Sequence, residues 1–579
     1  MHIKDADGPM LHVLGIMAHR LTLSARRLFP ALVLGALLMP LGPAWPAAAD
    51  SVSLDSPALS QQIGQRLQSA MPLTVEGLVL DRAMLAQVYG QRTDAPIWAG
   101  HGDWAASLET ALAEAGRQAI TPQSLGLSAL QQALADPALP AADRDLVLTD
   151  RFLAYAAILA RGRVDIGAIE NDWTLPTPVF DPAATIAALE ASRGPAGVLQ
   201  KLAPTSPGYE RLLAAYARYN QIAASGGWKA LPAGTRLRLG DAGPLVESLG
   251  DRLAAEGDLS GDWEESQVFD ARLAAAVSHF QQRHGLLVDG RVGPATLAAL
   301  NVGAEDRASQ LALNLERLRA MPRTWPATRI EVEQSSQMLT YYRDGKPALV
   351  SRVIVGQAIH PTPVLAATVQ RVVLDPAWVV PVSIIRNEIQ PRLRVDPGYL
   401  ARNHFEILGR KGGDPTGRDL NWKAVSILAM GWELRQLPGP WNSLGSVMLD
   451  MPNPFDVYLH DTPFHSLFAL PQRALSHGCV RVDLARDLAG ALLGAPLPAP
   501  GGPTRIVPLA APVPVYFLYQ TAFVDENGTV EFRDDIYGRD ARLLAAMAAE
   551  EHGAQAPSAA TVSLMKSCPG IAADLAQLN

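Results

Sequence analysis

The apolar residues of this chain change their period once, near residue 328, and that change bounds what it can fold into. From Asp50 to about Gly227 they recur at three-to-four spacing, as in Trp104 to Ala115 and Asp145 to Gly162, the stripe an amphipathic helix buries. A helix is expected at Leu311 to Arg319, and beyond it the pattern turns strand-like. Ile330 to Tyr342 and Ala348 to Val355 flank Arg343-Asp344-Gly345-Lys346, a hairpin signal. Further strands are expected at Val369 to Leu374, Ser446 to Leu449, Val457 to His460 and Pro514 to Asp525. The stretch from about Ile384 to Leu434 is rich in charge, glycine and proline, and its length between sheet elements predicts a lid. At 579 residues the chain exceeds what one core supports, so a multidomain α+β protein is expected.

At the N-terminus, Arg20, Arg26 and Arg27 precede an apolar run from Leu28 to Leu41, and Ala47-Ala48-Ala49 follows. That order reads as a secretory signal peptide over residues 1–49, cut before Asp50. The rival is an uncleaved inner-membrane anchor, but the run is short and bracketed by Pro30 and Pro40. Arg26-Arg27-Leu28-Phe29 faintly resembles a twin-arginine signal, and no cysteine near the cleavage site suggests lipidation. Cys479 and Cys568 are too few for a disulfide framework; one disulfide between them is the alternative to a free thiol. With 48% hydrophobic residues the chain is not disordered as a whole. A formal charge of −8 without a basic face argues against nucleic acid as a partner.

A separate unit spans 236–302. Gly240-Asp241 and Gly243 open it, Val246, Leu249 and Leu253 stripe one helix, and Leu273, Ala276, Val277 and Phe280-Gln281 a second. Gly285-Leu286, Asp289-Gly290, Gly293 and Thr296 lead into a third helix with Pro294 in its first turn. This three-helix string resembles the small peptidoglycan-binding domain found beside cell-wall enzymes. A packing module without ligand binding is the plainer reading. His279 and His284 read as structural or surface residues here.

The densest chemistry is Tyr458-Leu459-His460-Asp461-Thr462 followed by Ser476-His477-Gly478-Cys479-Val480-Arg481. A cysteine attacks as thiolate and needs a base or a positive field to become one. On an extended strand His477 and Cys479 would share a face, so imidazole and sulfur could meet. Gly478 leaves the backbone free to turn, and the N–H groups around Gly478 and Cys479 are candidates for an oxyanion hole. The plainer readings are a buried small hydrophobe at Cys479, or zinc held by His460, His465, His477 and Cys479 at a spacing that fits no usual zinc pattern.

The signature resembles the active site of L,D-transpeptidases of the YkuD type. So do Arg352-Val353-Ile354-Val355-Gly356 with Thr362-Pro363, Asp375-Pro376-Ala377-Trp378-Val379-Val380-Pro381, Arg435-Gln436 with Pro438-Gly439, and Phe532-Arg533-Asp534-Asp535-Ile536-Tyr537. The likeness is to the large periplasmic members, which pair a helical scaffold, the small binding domain and a mostly-β catalytic domain with a lid insertion. It implies a scaffold at 50–227, a peptidoglycan-binding-like domain at 236–302, a catalytic domain at 328–545 with its lid at about 384–434, and a tail at 546–579. It further implies that Cys479 attacks a donor tetrapeptide stem, releases D-alanine and holds a thioester. An amine of a second stem resolves that thioester into a link between third-position diamino acids. His477 is then the proton donor and acceptor, Gly478 lends its backbone to the oxyanion, and His460, Ser476 and Arg481 shape the substrate site, with Arg481 suited to a carboxylate. No metal or organic cofactor is implied. Stem peptides are the expected partners, carbapenem-type β-lactams the expected inhibitors, and transient association with other cell-wall enzymes fits a role in wall biogenesis and cell shape. The same residues would serve an L,D-carboxypeptidase or endopeptidase, and a non-catalytic wall-binding protein is the alternative from another class.

Overall fold

The computed structural model describes residues 57–259 and 266–552. The signal-peptide reading, Cys568 and most of the expected tail lie outside the described residues. Among the described residues no helix is long and apolar enough to cross a membrane.

In the first region the helices Pro57–Gln68, Arg82–Gly90, Gly102–Ala113, Leu127–Ala135 and Ala141–Arg161 share one apolar core. The longest of them buries Leu146, Phe152, Leu153 and Ala156. It also buries the Asp145 carboxylate, which accepts the N–H groups of Ile97 and Trp98 at 2.9 Å each. The next unit is three helices, Pro244–Glu256, Ala271–Arg283 and Pro294–Leu300. Proline opens the first and third, and the Asp270 side chain caps the second at Leu273 N–H. Val246, Leu249, Leu253, Leu273, Val277 and Phe280 form its core, as their spacing predicts. His284 is buried there against Phe280.

Helix Ala304–Ala320 leads into the sheet. Its strands are β1 (Arg329–Glu333), β2 (Met338–Arg343), β3 (Lys346–Gly356) and β4 (Ala366–Leu374). The lid then inserts β5 (Trp378–Val379), β6 (Phe405–Leu408) and β7 (Glu433–Gln436). The sheet resumes with β8 (Val447–Asp450), β9 (Leu459–His460), β10 (Ala474–Ser476), β11 (Val480–Val482) and β12 (Arg505–Leu518). The order β3-β11-β9-β8-β4-β12-β1-β2 closes on itself, because β3 pairs with β2 along Lys346–Arg352 and with β11 at Val353 and Ile354. Alternation fills the interior: Ile330, Val332, Val353, Val372, Leu449, Val480 and Phe517 are buried in one cluster.

Two strand expectations change. Ile330 to Tyr342 is not one strand but a hairpin, because polar Gln334 to Gln337 form a turn with Gln337 at φ 57°. The last long strand begins at Arg505 rather than Pro514, with a register shift between Pro508 and Val513. Prolines there remove ladder donors and hide the strand from a propensity reading. The expected tail also starts late, since a helix runs from Arg539 to His552. Arg539 docks that helix through Glu170 at 2.9 Å and Asp172 at 2.6 Å.

The lid segment, with the flanking β5 and β7, has a three-stranded sheet of its own in the order β5-β7-β6. It also has its own apolar core of Val380, Ile385, Ile389, Leu393, Phe405, Ile407, Trp422 and Leu434. Trp422 is buried in that core. Replacing Trp422 with alanine is expected to cost the lid about 3–5 kcal/mol. Hydrogen exchange at Ile407 and Leu434 should then accelerate while β1 and β12 stay protected. Equal acceleration in both places would mean that lid and sheet unfold together.

Candidate active site

The parallel strands β9 and β11 build the site floor. Leu459 pairs with Val480 and His460 with Arg481, so the first pair faces the core while His460 and Arg481 share the opposite face. Tyr458, two residues before His460, contacts its ring at 5.7 Å between centroids.

Residues 477–479 join β10 to β11 as a bend rather than as extended strand. The expectation that His477 and Cys479 share a strand face therefore does not hold. Gly478 turns the chain at φ 112°, a region that a residue with a Cβ rarely enters. Buried hydroxyls lock the bend. Ser476 Oγ donates to the Cys479 carbonyl at 2.5 Å and accepts the Gly478 N–H at 3.1 Å. Thr362 Oγ1 donates to the Gly478 carbonyl at 2.8 Å and accepts the Gly356 N–H at 2.9 Å. Tyr537 hydroxyl donates to the Gly356 carbonyl at 2.7 Å, and Gln357 N–H to the Ser476 carbonyl at 2.9 Å. A Cβ on Gly356 would lie 2.1 Å from the His360 carbonyl oxygen, so this close approach requires glycine.

The Gly478 N–H, expected to face an oxyanion, is thus committed to Ser476. Among the described residues the Cys479 N–H has no protein acceptor.

The Cys479 sulfur lies 3.7 Å from the Asp456 carbonyl oxygen. Burial pushes its thiol up, while the N–H and hydroxyl of Tyr458 favour the thiolate; Asp456 and Arg481 act in opposite directions on it. Burial pushes the Tyr458 hydroxyl up, and the Trp378 side chain in β5 acts on it in the opposite direction. Arg481 carries a buried Nε without a partner among the described residues.

His460 is buried, with Nδ1 2.6 Å from the Asp461 carbonyl oxygen. A carbonyl only accepts, so Nδ1 carries the proton and Nε2 keeps its lone pair. Burial, then the charge of Arg481, pulls the His460 pKa down to about 4. The Asp461 carboxylate holds the end of β9 by accepting the Ser446 N–H and hydroxyl at 2.8 Å each. His477 stands differently. It is partly exposed, its ring centroid lies 5.3 Å from that of His360, and its Nε2 is 2.6 Å from Oε1 of Glu388 in the lid. No hydrogen bond joins His477 to the thiol among the described residues.

The structure therefore brings Cys479, Tyr458, His460 and Arg481 into one cluster, with Ser476 and Gly478 shaping the bend and His477 turned to the lid. Sequence reasoning quoted Tyr458, Thr362 and Trp378 without giving them a role, and placed Glu388 only within the charged lid segment. Tyr458 was accessible in principle, since period-two alternation puts it on the His460 face. Among the described residues no group of three or more His, Cys, Asp or Glu side chains is placed to hold a metal ion.

The low pKa of His460 has a stability consequence. An unfolded histidine takes up its proton near 6.5 and the folded His460 only near 4, so folding loses stability as pH falls across that window. The loss from this group approaches about 3 kcal/mol at the acid end. Wild type and His460→Gln should show unfolding free energies that run parallel above pH 7 and change their separation from pH 6.5 down to 4. Profiles parallel throughout would show an imidazole that charges normally in the folded protein.

Residues 327–514 match the family model of the L,D-transpeptidase catalytic domain (YkuD), residues 83–215 that of a scaffold domain, and residues 242–300 that of a "Putative peptidoglycan binding domain". A curated Haemophilus influenzae protein named "Putative L,D-transpeptidase" is 34% identical over 242 residues, covering 40% of this chain and 48% of the relative. This chain thus spans about half the length of that relative. Similar solved structures include an L,D-transpeptidase from Stackebrandtia nassauensis (16% identity, 49% of this chain and 94% of that one, TM-score 0.21). Another is from Enterococcus faecium (16% identity, 34% and 52%, TM-score 0.18). On the sequence matches, residues 327–514 are a YkuD-family L,D-transpeptidase catalytic domain, and the same chain carries a peptidoglycan-binding domain at residues 242–300.

Proposed function

We propose that this chain is an exported, periplasmic L,D-transpeptidase that cross-links peptidoglycan stem peptides through a thioester on Cys479. The observation that carries the reading is the grouping, around one strand pair, of a thiol, a neutral imidazole of fixed tautomer and an arginine with an unsatisfied Nε. The adjoining peptidoglycan-binding domain supports both the substrate class and an extracytoplasmic site.

In this reading His460, rather than His477, takes the Cys479 proton at Nε2, with the Asp461 carbonyl as the third member that orients it. The sulfur attacks the carbonyl of the L-centre of the donor's third-position diamino acid. The C–S bond forms, the amide C–N bond breaks, and His460 returns the proton to the departing D-alanine amine. The Cys479 N–H would then meet the oxyanion, a role supported by the commitment of the Gly478 N–H to Ser476. Arg481 suits a stem-peptide carboxylate, which would satisfy its buried Nε. The amine of a second stem then attacks the thioester, leaving a link between third-position residues and a restored thiol.

Incubation of the exported chain with disaccharide-tetrapeptide, read by mass spectrometry, should give a dimer lacking one D-alanine, absent with Cys479→Ala. Tripeptide alone would assign a hydrolase, no turnover a wall-binding protein, and links other than third-to-third a different acceptor. A carbapenem should leave a covalent mass adduct on Cys479; its absence would count against the reading. His460→Ala should slow D-alanine release by about 10²–10⁴-fold and His477→Ala by much less. The reverse ranking would return the base to His477.

A further inference from the structure

Among the lid acids, Glu388 reaches out of the lid. Asp396, Glu406 and Asp419 are each bound to a lid arginine, respectively Arg402, Arg435 and Arg410. Glu388 lies on a π-helical turn, Ile385–Ile389, whose first and last residues are buried in the lid core. That anchoring leaves its carboxylate free to point outward, and its Oε1 sits 2.6 Å from Nε2 of His477, two residues before the thiol. The two side chains are 52% and 36% exposed. A contact this open to water is weak, so a cation can take the place of the imidazole. A lid carboxylate thus stands against the residue two before the thiol, while the Arg481 guanidinium acts on the thiol itself.

Two charged groups must reach such a thiol if the transpeptidase reading holds, on which this inference rests. The donor brings carboxylates, which Arg481 suits. The acceptor brings an amine that is an ammonium at neutral pH. We propose that Glu388 is the acceptor-specificity residue: it receives the ammonium of the incoming stem, with His477 as its resting partner. The ammonium displaces the imidazole and is held by a charge-assisted hydrogen bond. It gives one proton to water at this open side of the site. The free amine then attacks the thioester carbonyl carbon, the C–N bond forms as the C–S bond breaks, and the amine's surplus proton passes through His460 to the Cys479 sulfur. Water needs no carboxylate to hold it, so Glu388 biases the thioester toward cross-linking and away from hydrolysis.

The test compares wild type, Glu388→Gln and Glu388→Asp with disaccharide-tetrapeptide, measuring D-alanine, dimer and tripeptide together. In the glutamine variant the dimer-to-tripeptide ratio should fall about tenfold or more, and the aspartate variant should recover part of it. Hydroxylamine, uncharged at neutral pH, should resolve the thioester with far less loss in the glutamine variant than the stem amine suffers. An unchanged ratio would overturn the proposal, including the case where D-alanine release and dimer fall in step. Equal losses with hydroxylamine and with the stem amine would overturn it too, since they would reflect lid geometry and not charge. Failure of the wild-type protein to release D-alanine would strike the transpeptidase reading itself and this proposal with it.

Discussion

The hydrogen bonds that Ser476 and Thr362 make to the bend at residues 477–479 hold a backbone course that the chain would not keep alone. Gly478 permits the turn, but permission is not preference, since glycine also has the most conformational freedom to lose. The hydroxyls supply the preference by satisfying the Gly478 N–H and the carbonyls of Gly478 and Cys479. The closed sheet brings those hydroxyls there. β3 is long enough to pair with three different strands, and its end at Gly356 meets the Thr362 turn against the bend. A single missing Cβ at Gly356 lets the two backbones approach.

Burial then acts with opposite sign on the two groups that we propose exchange a proton. It raises the thiol and lowers the imidazole, so both favour their uncharged forms at rest. The site is therefore not a standing thiolate–imidazolium pair. The thiolate is favoured only by the Tyr458 N–H and hydroxyl and by the charge of Arg481, and the donor carboxylate that we propose for Arg481 would change that balance on arrival. Such an arrangement would suit the exported nucleophile that we propose, because the thiolate is the form that oxidants attack.

The fold was legible in the sequence wherever one face of an element decides its burial. Leu249, Leu273 and Phe280 announce the three-helix unit by spacing alone, and Arg343-Asp344-Gly345-Lys346 marks its hairpin, with Asp344 and Gly345 both at positive φ. Legibility failed where backbone geometry overrides pattern. Prolines 508, 512 and 514 obscure a strand that tolerates them through a register shift. The lid reads as a charged loop because its apolar residues have no single period, yet they meet in a core. In the site, closeness in sequence suggested His477 as the partner of the thiol, and among the described residues no hydrogen bond joins the two across the bend. His477 neighbours Cys479 along the chain and meets the lid instead, whereas strand pairing sets His460 beside Arg481, a placement that no local window displays.

The lid leaves the sheet after β4 and returns at β8, and these strands are antiparallel neighbours, with Leu374 opposite Val447. The Asp375 N–H donates to the Ser446 carbonyl at 2.9 Å, so the two connecting chains are fastened together where they depart. Mechanically the lid hangs from a short, two-chain neck. A neck of that kind leaves rotation as the cheap motion and makes sliding or detachment expensive, since either would break sheet pairing. It also uncouples the lid's history from that of the barrel: a longer, shorter or differently shaped cap can be grafted at the same two points without any strand of the ring changing register.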